Sequence, residues 1–247
     1  MSPRNVEYVL LDVDGLLINS EDAYSTVKSN ILAKYGKEFT PELKAHVMAT
    51  PARESAARIL ATYPDVPLTI DEYLKLYDTA LLTVWDTVAF MPGAQKLVAH
   101  LRAHGVPMAL ATGSRRVNYT NKTKPAHLRD FFGFFVDKVV CGDDKPAMKG
   151  KPEPDIFLRA ATEKLGLDVG RPREPCSDAQ RALREKVLVF EDGLPGMQAA
   201  KRAGMPVVWI PDSDTELEGA GAEEVDLLLK SLEDFVPEEW GLPPYET

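Results

Sequence analysis

The pattern of apolar and polar positions changes once along the chain. Residues 6–11 form a short apolar run, partly β-branched, which predicts a buried strand. Residues 20–90 carry helical patterns and no convincing strand. Beyond Phe90, short apolar runs alternate with helical periods. This alternation is typical of a parallel sheet that is covered by helices on both faces.

The helical part of the chain predicts four helices. The first covers residues 20–35, with Ser20 as its cap. Pro41 opens the second, because proline fits the first turn of a helix. The third and fourth are predicted over residues 52–63 and 69–88.

The rest of the chain predicts further strands separated by helices. The strands are the segments VPMALAT, DKVVCGD, KVLVFED, MPVVWIP and VDLLL. We interpret residues 168–185, which are rich in proline, arginine and other charged residues, as a surface loop. The predicted fold class is therefore α/β. A Rossmann-like parallel-sheet core takes residues 1–17 and 91–247, and an all-helical cap of residues 18–90 is inserted after the first strand.

Composition and charge narrow the possible functions. Of the 247 residues, 45% are hydrophobic, enough for a substantial core. A net charge of −9 disfavours a nucleic-acid polymer or an anionic membrane as partner. No run approaches the ~18 apolar residues of a membrane span, and the first residues lack a signal-peptide pattern. Cys141 and Cys176 have no metal-binding spacing, so we expect a cytoplasmic protein. We also expect a monomer.

Charged and polar residues follow the predicted strands at their carboxyl ends, where α/β sheets bind ligands. The first strand runs into Asp12, Val13 and Asp14, and the motifs TGS, GDDKPAMKGKPEP and EDG follow later strands. Two residues that are two positions apart in an extended chain project to the same side. Because two neighbouring carboxylates repel unless a cation lies beside them, Asp12 and Asp14 predict a metal site.

Four motifs carry a resemblance to a known family. In order, LLDVDGLLINSE, ALATGS, KGKPEPDIF and VFEDGLPGMQAA resemble the signature motifs of the haloacid-dehalogenase-like phosphatases. The helical insertion resembles the small cap of that family, so the resemblance covers nearly the whole chain. It implies a Mg²⁺-dependent phosphatase that hydrolyses a small phosphorylated metabolite through an aspartyl-phosphate.

The resemblance also implies roles for the acidic residues. Asp12 corresponds to the nucleophile, and Asp14 to the general acid and base. Mg²⁺ would be held by Asp12, Asp192 and the backbone carbonyl of Asp14, since hard oxygen ligands suit this ion. We assign Glu191 a supporting role and expect its side chain to point away from that of Asp192, because the two are adjacent in an extended chain.

The same resemblance places the phosphoryl group. Thr112 offers a hydroxyl group, and Gly113 lets the backbone approach an anion at the start of a helix. Lys151, in the segment KGKPEP, resembles the lysine that neutralises the phosphoryl group and the nucleophile. Lys149 is the alternative for this position.

The substrate is less defined than the reaction. The segments VMATPARESAARIL and FVPEEWGLPPYE resemble the pseudouridine-5'-phosphatase branch of the family, so pseudouridine 5'-phosphate or another nucleotide or sugar monophosphate is the first expectation. The chain departs from that branch at Arg53 in the cap and in its proline-rich loop. The residues that we expect to set specificity are Tyr24, Thr50, Arg53, Ser114 and Arg115.

Three alternatives stay open. One is a sugar phosphomutase of the β-phosphoglucomutase type, although that group carries a cap histidine where this chain has Tyr24. Another is a sugar or polyol phosphatase for 2-deoxyglucose 6-phosphate or glycerol phosphate. The third is a binding protein that has lost turnover, against which the set of acidic residues and Lys151 argues.

Overall fold

The computed structural model describes residues 5–47, 50, 52–211 and 225–246. The chain divides into two compact units. Met1–Ile18 and Phe90–Thr247 form one, which we call the sheet unit, and Asn19–Ala89 form the other, the helical unit. None of the described helices is both long and apolar enough to cross a lipid bilayer.

The sheet unit is built on parallel strands, and the predicted α/β class is confirmed. Among the described residues the strands are β1 (Tyr8–Leu11), β2 (Met108–Thr112), β3 (Val139–Cys141), β4 (Val187–Glu191), β5 (Val207–Trp209) and β6 (Leu227–Leu228). Their order across the sheet is β3-β2-β1-β4-β5-β6. The order reverses at β1, which lies between β2 and β4. In doubly wound sheets, such a reversal is where ligands bind.

The helical unit contains α1 (Ser20–Ala33), α2 (Pro41–Val47), α3 (Ala52–Thr62) and α4 (Ile70–Leu81), followed by a 3₁₀ turn at Trp85–Thr87. The helix α4 begins with a reciprocal capping box, in which the Thr69 side chain and backbone bond to Glu72. The described residues of the helical unit contribute no β-strand to the sheet, in agreement with its helical pattern.

The described helices of the sheet unit are α5 (Ala94–Ala103), α6 (Arg116–Lys122), α7 (Ala126–Gly133), α8 (Asp155–Leu165), α9 (Asp178–Arg184) and α10 (Leu194–Arg202). Ile156, Phe157 and Met197 of α8 and α10 are buried in the same core cluster as the strand residues Leu10 and Val189. Burying each such large side chain contributes roughly 1.5–3 kcal/mol. This packing holds the carboxyl ends of the strands in place.

The structure corrects three of the predicted elements. The N-cap of α1 is Asn19 rather than Ser20, because the Asn19 Oδ1 accepts the backbone N–H of Asp22 at 3.3 Å. The fourth helix ends at Leu81, so the prediction of helix up to residue 88 was wrong. The predicted surface loop 168–185 contains the helix α9.

Candidate active site

The parallel register brings the strand ends together. Leu11 pairs with Leu110 of β2 and with Phe190 of β4, so the next residues of the three strands lie side by side. The backbone N–H of Asp12 donates to the carbonyl of Phe190 at 3.1 Å. Asp12 and Glu191 therefore lie beside each other at the carboxyl ends of their strands, and Thr112, one residue further along, ends β2.

Lys151 joins two of these strand ends. Its Nζ lies 2.5 Å from Asp12 Oδ1 and also forms an ion pair with Glu191 Oε1. The Lys151 side chain is 13% exposed, and those of Asp12 and Glu191 are 6% and 2% exposed. Burial acts to lower the pKa of Lys151, but the charges of Asp12 and Glu191 outweigh burial and raise it. Lys149 contributes its backbone N–H to Asp155 instead, at 3.0 Å.

A group of carboxylates adjoins this ammonium. Oxygens of Asp12, Glu191 and Asp192 all lie within 4.8 Å of one another. No described residue donates a hydrogen bond to the Asp192 carboxylate, and burial together with Glu191 and Asp12 raises the pKa of Asp192 well above its usual value. Three carboxylates against one ammonium leave a negative site of hard oxygens, which fits a divalent cation such as Mg²⁺.

The expectation that Glu191 points away from Asp192 was wrong. The strand β4 ends at Glu191, so the alternation of an extended chain does not continue to Asp192. The Glu191 Oε2 turns to accept the backbone N–H groups of Asp192 and Gly193, each at 3.1 Å. Its other oxygen faces Lys151.

The Asp14 carboxylate lies in a second group of polar side chains. Its Oδ2 accepts hydrogen bonds from Thr112 Oγ1 at 3.2 Å and from Ser114 Oγ at 2.9 Å. The Lys122 Nζ forms an ion pair with the same oxygen and donates to Ser114 Oγ at 2.9 Å. Ser114, predicted to set specificity, is thus bonded to Asp14.

Lys122 is a site residue that the sequence analysis missed. Its side chain has no exposed surface, although lysine is rarely buried without a partner. The one signal in the sequence is its position three residues after Tyr119, on the same face of α6. Both residues are buried, so this face of the helix is turned inward.

Glycines allow the backbone to approach these carboxylates. A Cβ on Gly15, whose φ is +77°, would lie 2.0 Å from Asp192 Oδ2. A Cβ on Gly196 would lie 1.9 Å from Glu191 Oε1. Gly142 allows a third close approach, since its Cβ would lie 2.4 Å from the carbonyl oxygen of Gly113. Each of these positions excludes a side chain.

The residues predicted to set specificity are otherwise placed as follows. In the helical unit, Tyr24 lies against the rings of Tyr77 and Trp85, with centroids 6.5 and 5.6 Å away. The hydroxyl of Thr50 donates to the Val47 carbonyl at 2.8 Å.

Arg53, also in the helical unit, pairs with Asp71 at 2.6 Å. In the sheet unit, Arg115 is the exposed N-cap residue of α6. The roles of these residues in specificity stay predictions.

Comparisons with known proteins add to this geometry. The family described as haloacid dehalogenase-like hydrolase matches residues 9–210. An Arabidopsis thaliana protein named (DL)-glycerol-3-phosphatase 2 is 38% identical, over 98% of this chain and 94% of its own length. A Drosophila melanogaster protein named Probable pseudouridine-5'-phosphatase is 37% identical, over 98% and 96%. The fold is similar to that of a HAD family hydrolase from Deinococcus radiodurans, solved with bound phosphate and sodium: TM-score 0.75, 23% identity, and 99% and 100% of the two chains covered.

Proposed function

This chain belongs to the haloacid dehalogenase-like hydrolase family, and on that premise we propose that it hydrolyses the phosphate ester of a small metabolite, with Mg²⁺ as its metal. The observation that carries the proposal is the meeting of Lys151 with Asp12 and Glu191 beside Asp192. It supplies an attacking carboxylate, a cation and oxygens for a metal at one edge of the sheet, which are the parts that phosphoryl transfer requires.

In the proposed reaction, a carboxylate oxygen of Asp12 attacks phosphorus, and the bond from phosphorus to the alcohol oxygen breaks. Asp14 gives its proton to that oxygen, so the alcohol leaves and an aspartyl-phosphate remains. Asp14 then takes a proton from water, which attacks the phosphorus and releases inorganic phosphate and the free Asp12 carboxylate. The bonds from Thr112, Ser114 and Lys122 support this role because they fix the orientation of Asp14.

We assign the charge of the phosphoryl group to the ammonium of Lys151, the Thr112 hydroxyl and the backbone at Gly113. The N–H groups of Ser114 and Arg116 are already bonded, to Thr112 Oγ1 at 3.1 Å and to Asp143 Oδ1 at 2.7 Å. When bound, Mg²⁺ draws further charge from the phosphoryl oxygens, and Asp12, Asp192 and the backbone carbonyl of Asp14 would hold it. Glu191 supports the site by holding the other side of the Lys151 ammonium.

Two substrates are proposed on the strength of the relatives. The sequence of this chain is similar both to a protein named for glycerol 3-phosphate and to one named for pseudouridine 5'-phosphate, at 38% and 37% identity. Both compounds are phosphate esters of a primary alcohol on a polyhydroxylated carbon chain or ring. We place pseudouridine 5'-phosphate first and glycerol 3-phosphate second.

The nucleophile is tested by Asp12→Asn. The variant keeps the shape of the side chain but removes the attacking oxygen charge, so we expect the rate of p-nitrophenyl phosphate hydrolysis in Mg²⁺ to fall by at least about 10³-fold. Asp143→Asn is the control and should stay active; the Oδ1 of this aspartate accepts the backbone N–H of Arg116 at 2.7 Å. An Asp12→Asn enzyme with near wild-type turnover would refute the assignment.

The substrate is tested by phosphate release from a panel of esters. Pseudouridine 5'-phosphate should give a higher kcat/KM than glycerol 3-phosphate, 2-deoxyglucose 6-phosphate and glucose 1-phosphate. Conversion of glucose 1-phosphate to glucose 6-phosphate without free phosphate would identify a mutase instead.

A further inference from the structure

The segment between α8 and α9 contains a residue in a strained backbone conformation. Arg173 has φ of +62° and is the only described residue other than glycine with a positive φ. This left-handed region is unfavourable for a residue with a Cβ, so it persists only where the surroundings hold it. The contacts of Arg173 therefore identify what holds this conformation.

The guanidinium of Arg173 binds one carboxylate with two parallel bonds. Its Nη1 lies 2.8 Å from Asp155 Oδ1 and its Nη2 lies 2.9 Å from Asp155 Oδ2. The Asp155 side chain is 5% exposed, whereas that of Arg173 is 47% exposed. This bidentate geometry fixes the carboxylate in orientation as well as in position.

Asp155 in turn holds the segment that carries Lys151. Its Oδ2 accepts the backbone N–H of Lys149 at 3.0 Å, two residues before Lys151. The carbonyl of Pro152, directly after Lys151, accepts a hydrogen bond from Arg202 at 3.0 Å. The backbone is thus fastened on both sides of Lys151.

We propose that Arg173 is a positioning residue for Lys151: through Asp155 and the backbone of Lys149, it sets the distance from the Lys151 ammonium to Asp12. The inference rests on the proposed role of Lys151 in binding the phosphoryl group. It assigns a function to Arg173 in the segment between α8 and α9.

The Lys151 ammonium must be placed precisely, and this is the physical reason for the proposal. It contacts Asp12 and Glu191 at once, so a small shift of its backbone breaks one of two buried ion pairs. Without the guanidinium, the Asp155 carboxylate is buried with its charge unpaired and turns toward water, which releases Lys149. Displacements of about 1 Å in groups that position a substrate can cost on the order of 10²-fold in rate.

The test compares four single variants in turnover of p-nitrophenyl phosphate and in affinity for inorganic phosphate, both with Mg²⁺. Alanine at position 173 has the same unfavourable backbone conformation as arginine, so Arg173→Ala removes the guanidinium alone. Arg173→Gly also removes the backbone strain. Arg171→Ala is the matched control, since Arg171 is in the same segment, is 81% exposed and lies 3.8 Å from Glu174. Lys151→Ala removes the group on which Arg173 is proposed to act.

We expect Arg173→Ala and Arg173→Gly to lower kcat by about 10-fold and to weaken phosphate binding, in the range found when residues that orient an active-site group are removed. Arg173→Gly should unfold at the same or a higher temperature than Arg173→Ala. Arg171→Ala should stay within about twofold of the wild type, as exposed pairs contribute little. In Lys151→Ala/Arg173→Ala, phosphate should bind as in Lys151→Ala, because the second change acts through a group already lost.

Three results would overturn the proposal. They are a wild-type kcat in Arg173→Gly, activities of Arg173→Ala and Arg173→Gly that rise together with their unfolding temperatures, and losses of phosphate affinity that add up in the double variant Lys151→Ala/Arg173→Ala. Wild-type activity in Arg173→Ala would also overturn it, because the Lys149 contact would then hold without Arg173. If Lys151→Ala keeps wild-type turnover, both the proposed role of Lys151 and this inference are wrong. If Lys151→Ala is impaired and Arg173→Ala is not, the inference alone falls.

Discussion

Lys122 illustrates how a single residue can matter to the site without lying at a strand end. Its ammonium is enclosed by protein and is compensated by Asp14, with Ser114 as a further partner. An enclosed charge of this kind is tolerated only while its partner is present. The pair therefore fixes where the carboxylate of Asp14 lies.

Lys122→Met keeps the length and apolar stem of the side chain but removes its charge. We expect kcat for p-nitrophenyl phosphate to fall by about 10–100-fold, because Asp14 loses its ionic partner and part of its orientation. The control is Lys124→Met, at an exposed lysine two residues away whose Nζ contacts Asn121 at 3.3 Å. Equal activities of the two variants would contradict the proposed orientation of Asp14.

The carboxylate of Asp155 predicts how the stability of the protein depends on pH. Although burial acts to raise its pKa, the hydrogen bonds from Arg173 and from the Lys149 backbone lower it below the usual value. A carboxylate with a lowered pKa in the folded state stabilises the protein fully above its unfolded pKa of about 3.9, and this stabilisation is lost as the pH falls through the folded value.

We accordingly expect Asp155→Asn to lower the free energy of unfolding by about 2 kcal/mol at pH 7. The difference from the wild type should shrink as the pH is lowered from 5 to 3, as followed by urea denaturation. A difference that stays constant over this range would mean that the carboxylate charge is not what stabilises the fold.

At the scale of elements, α10 carries a conflict between helix propensity and packing. Gly196 lies in its first turn, where alanine would favour the helix by about 1 kcal/mol. A Cβ there would overlap the Glu191 carboxylate, which is buried and bonded to Lys151. The cost of this overlap exceeds the gain in helix propensity, because Glu191 cannot move without breaking that ion pair.

Gly196→Ala should therefore displace Glu191 and lower kcat about tenfold, with no gain in unfolding temperature. Gly133→Ala in α7 is the matched control, because no described atom beyond its chain neighbours and its own helix backbone lies within 4 Å of its Cβ position. It should leave activity unchanged. A Gly196→Ala enzyme that is both more stable and fully active would show that the Glu191 contact is dispensable.

The elements that sequence could predict are those whose pattern is local. The strands β1 to β6 were recognisable as apolar runs, and α4 by its helical pattern. Helix α9 was missed because the sequence around it is rich in proline and charged residues. Its capping box, formed by Ser177 and Gln180, is nevertheless a pattern that indicates the start of a helix. The cap of α1 was misplaced by one residue, since Asn19 and Ser20 are both suitable residue types and the hydrogen bond to Asp22 that decides between them appears only in the structure.

At the scale of the whole molecule, the sequence carried the family and the class of enzyme, a phosphoric monoester hydrolase, and both are confirmed. It could do so because the motifs lie at the ends of strands whose order is fixed by topology. The burial of Lys122 and the reach of Arg173 to Asp155 could not be predicted in this way. They depend on side-chain contacts between segments far apart in the sequence.

Metal binding should stabilise the whole chain. If Mg²⁺ binds the folded protein and not the unfolded one, a concentration of 100 times Kd adds about 2.7 kcal/mol, which raises the unfolding temperature by roughly 5–10 °C. Asp192→Asn should abolish this rise while leaving the metal-free protein at least as stable, because repulsion from the carboxylates of Glu191 and Asp12 is relieved. An equal rise in both proteins would exclude Asp192 as a ligand.

The position of β1 at the centre of the sheet has a consequence for how the protein is made. Its partner strand β4 begins at Val187, 176 residues after Leu11 (187 − 11). At about 5–20 residues per second, a ribosome needs on the order of 10–35 s to synthesise the interval. Until β4 is made, the edge of β1 that it covers has no partner strand. We therefore expect this apolar segment to be prone to aggregation during translation.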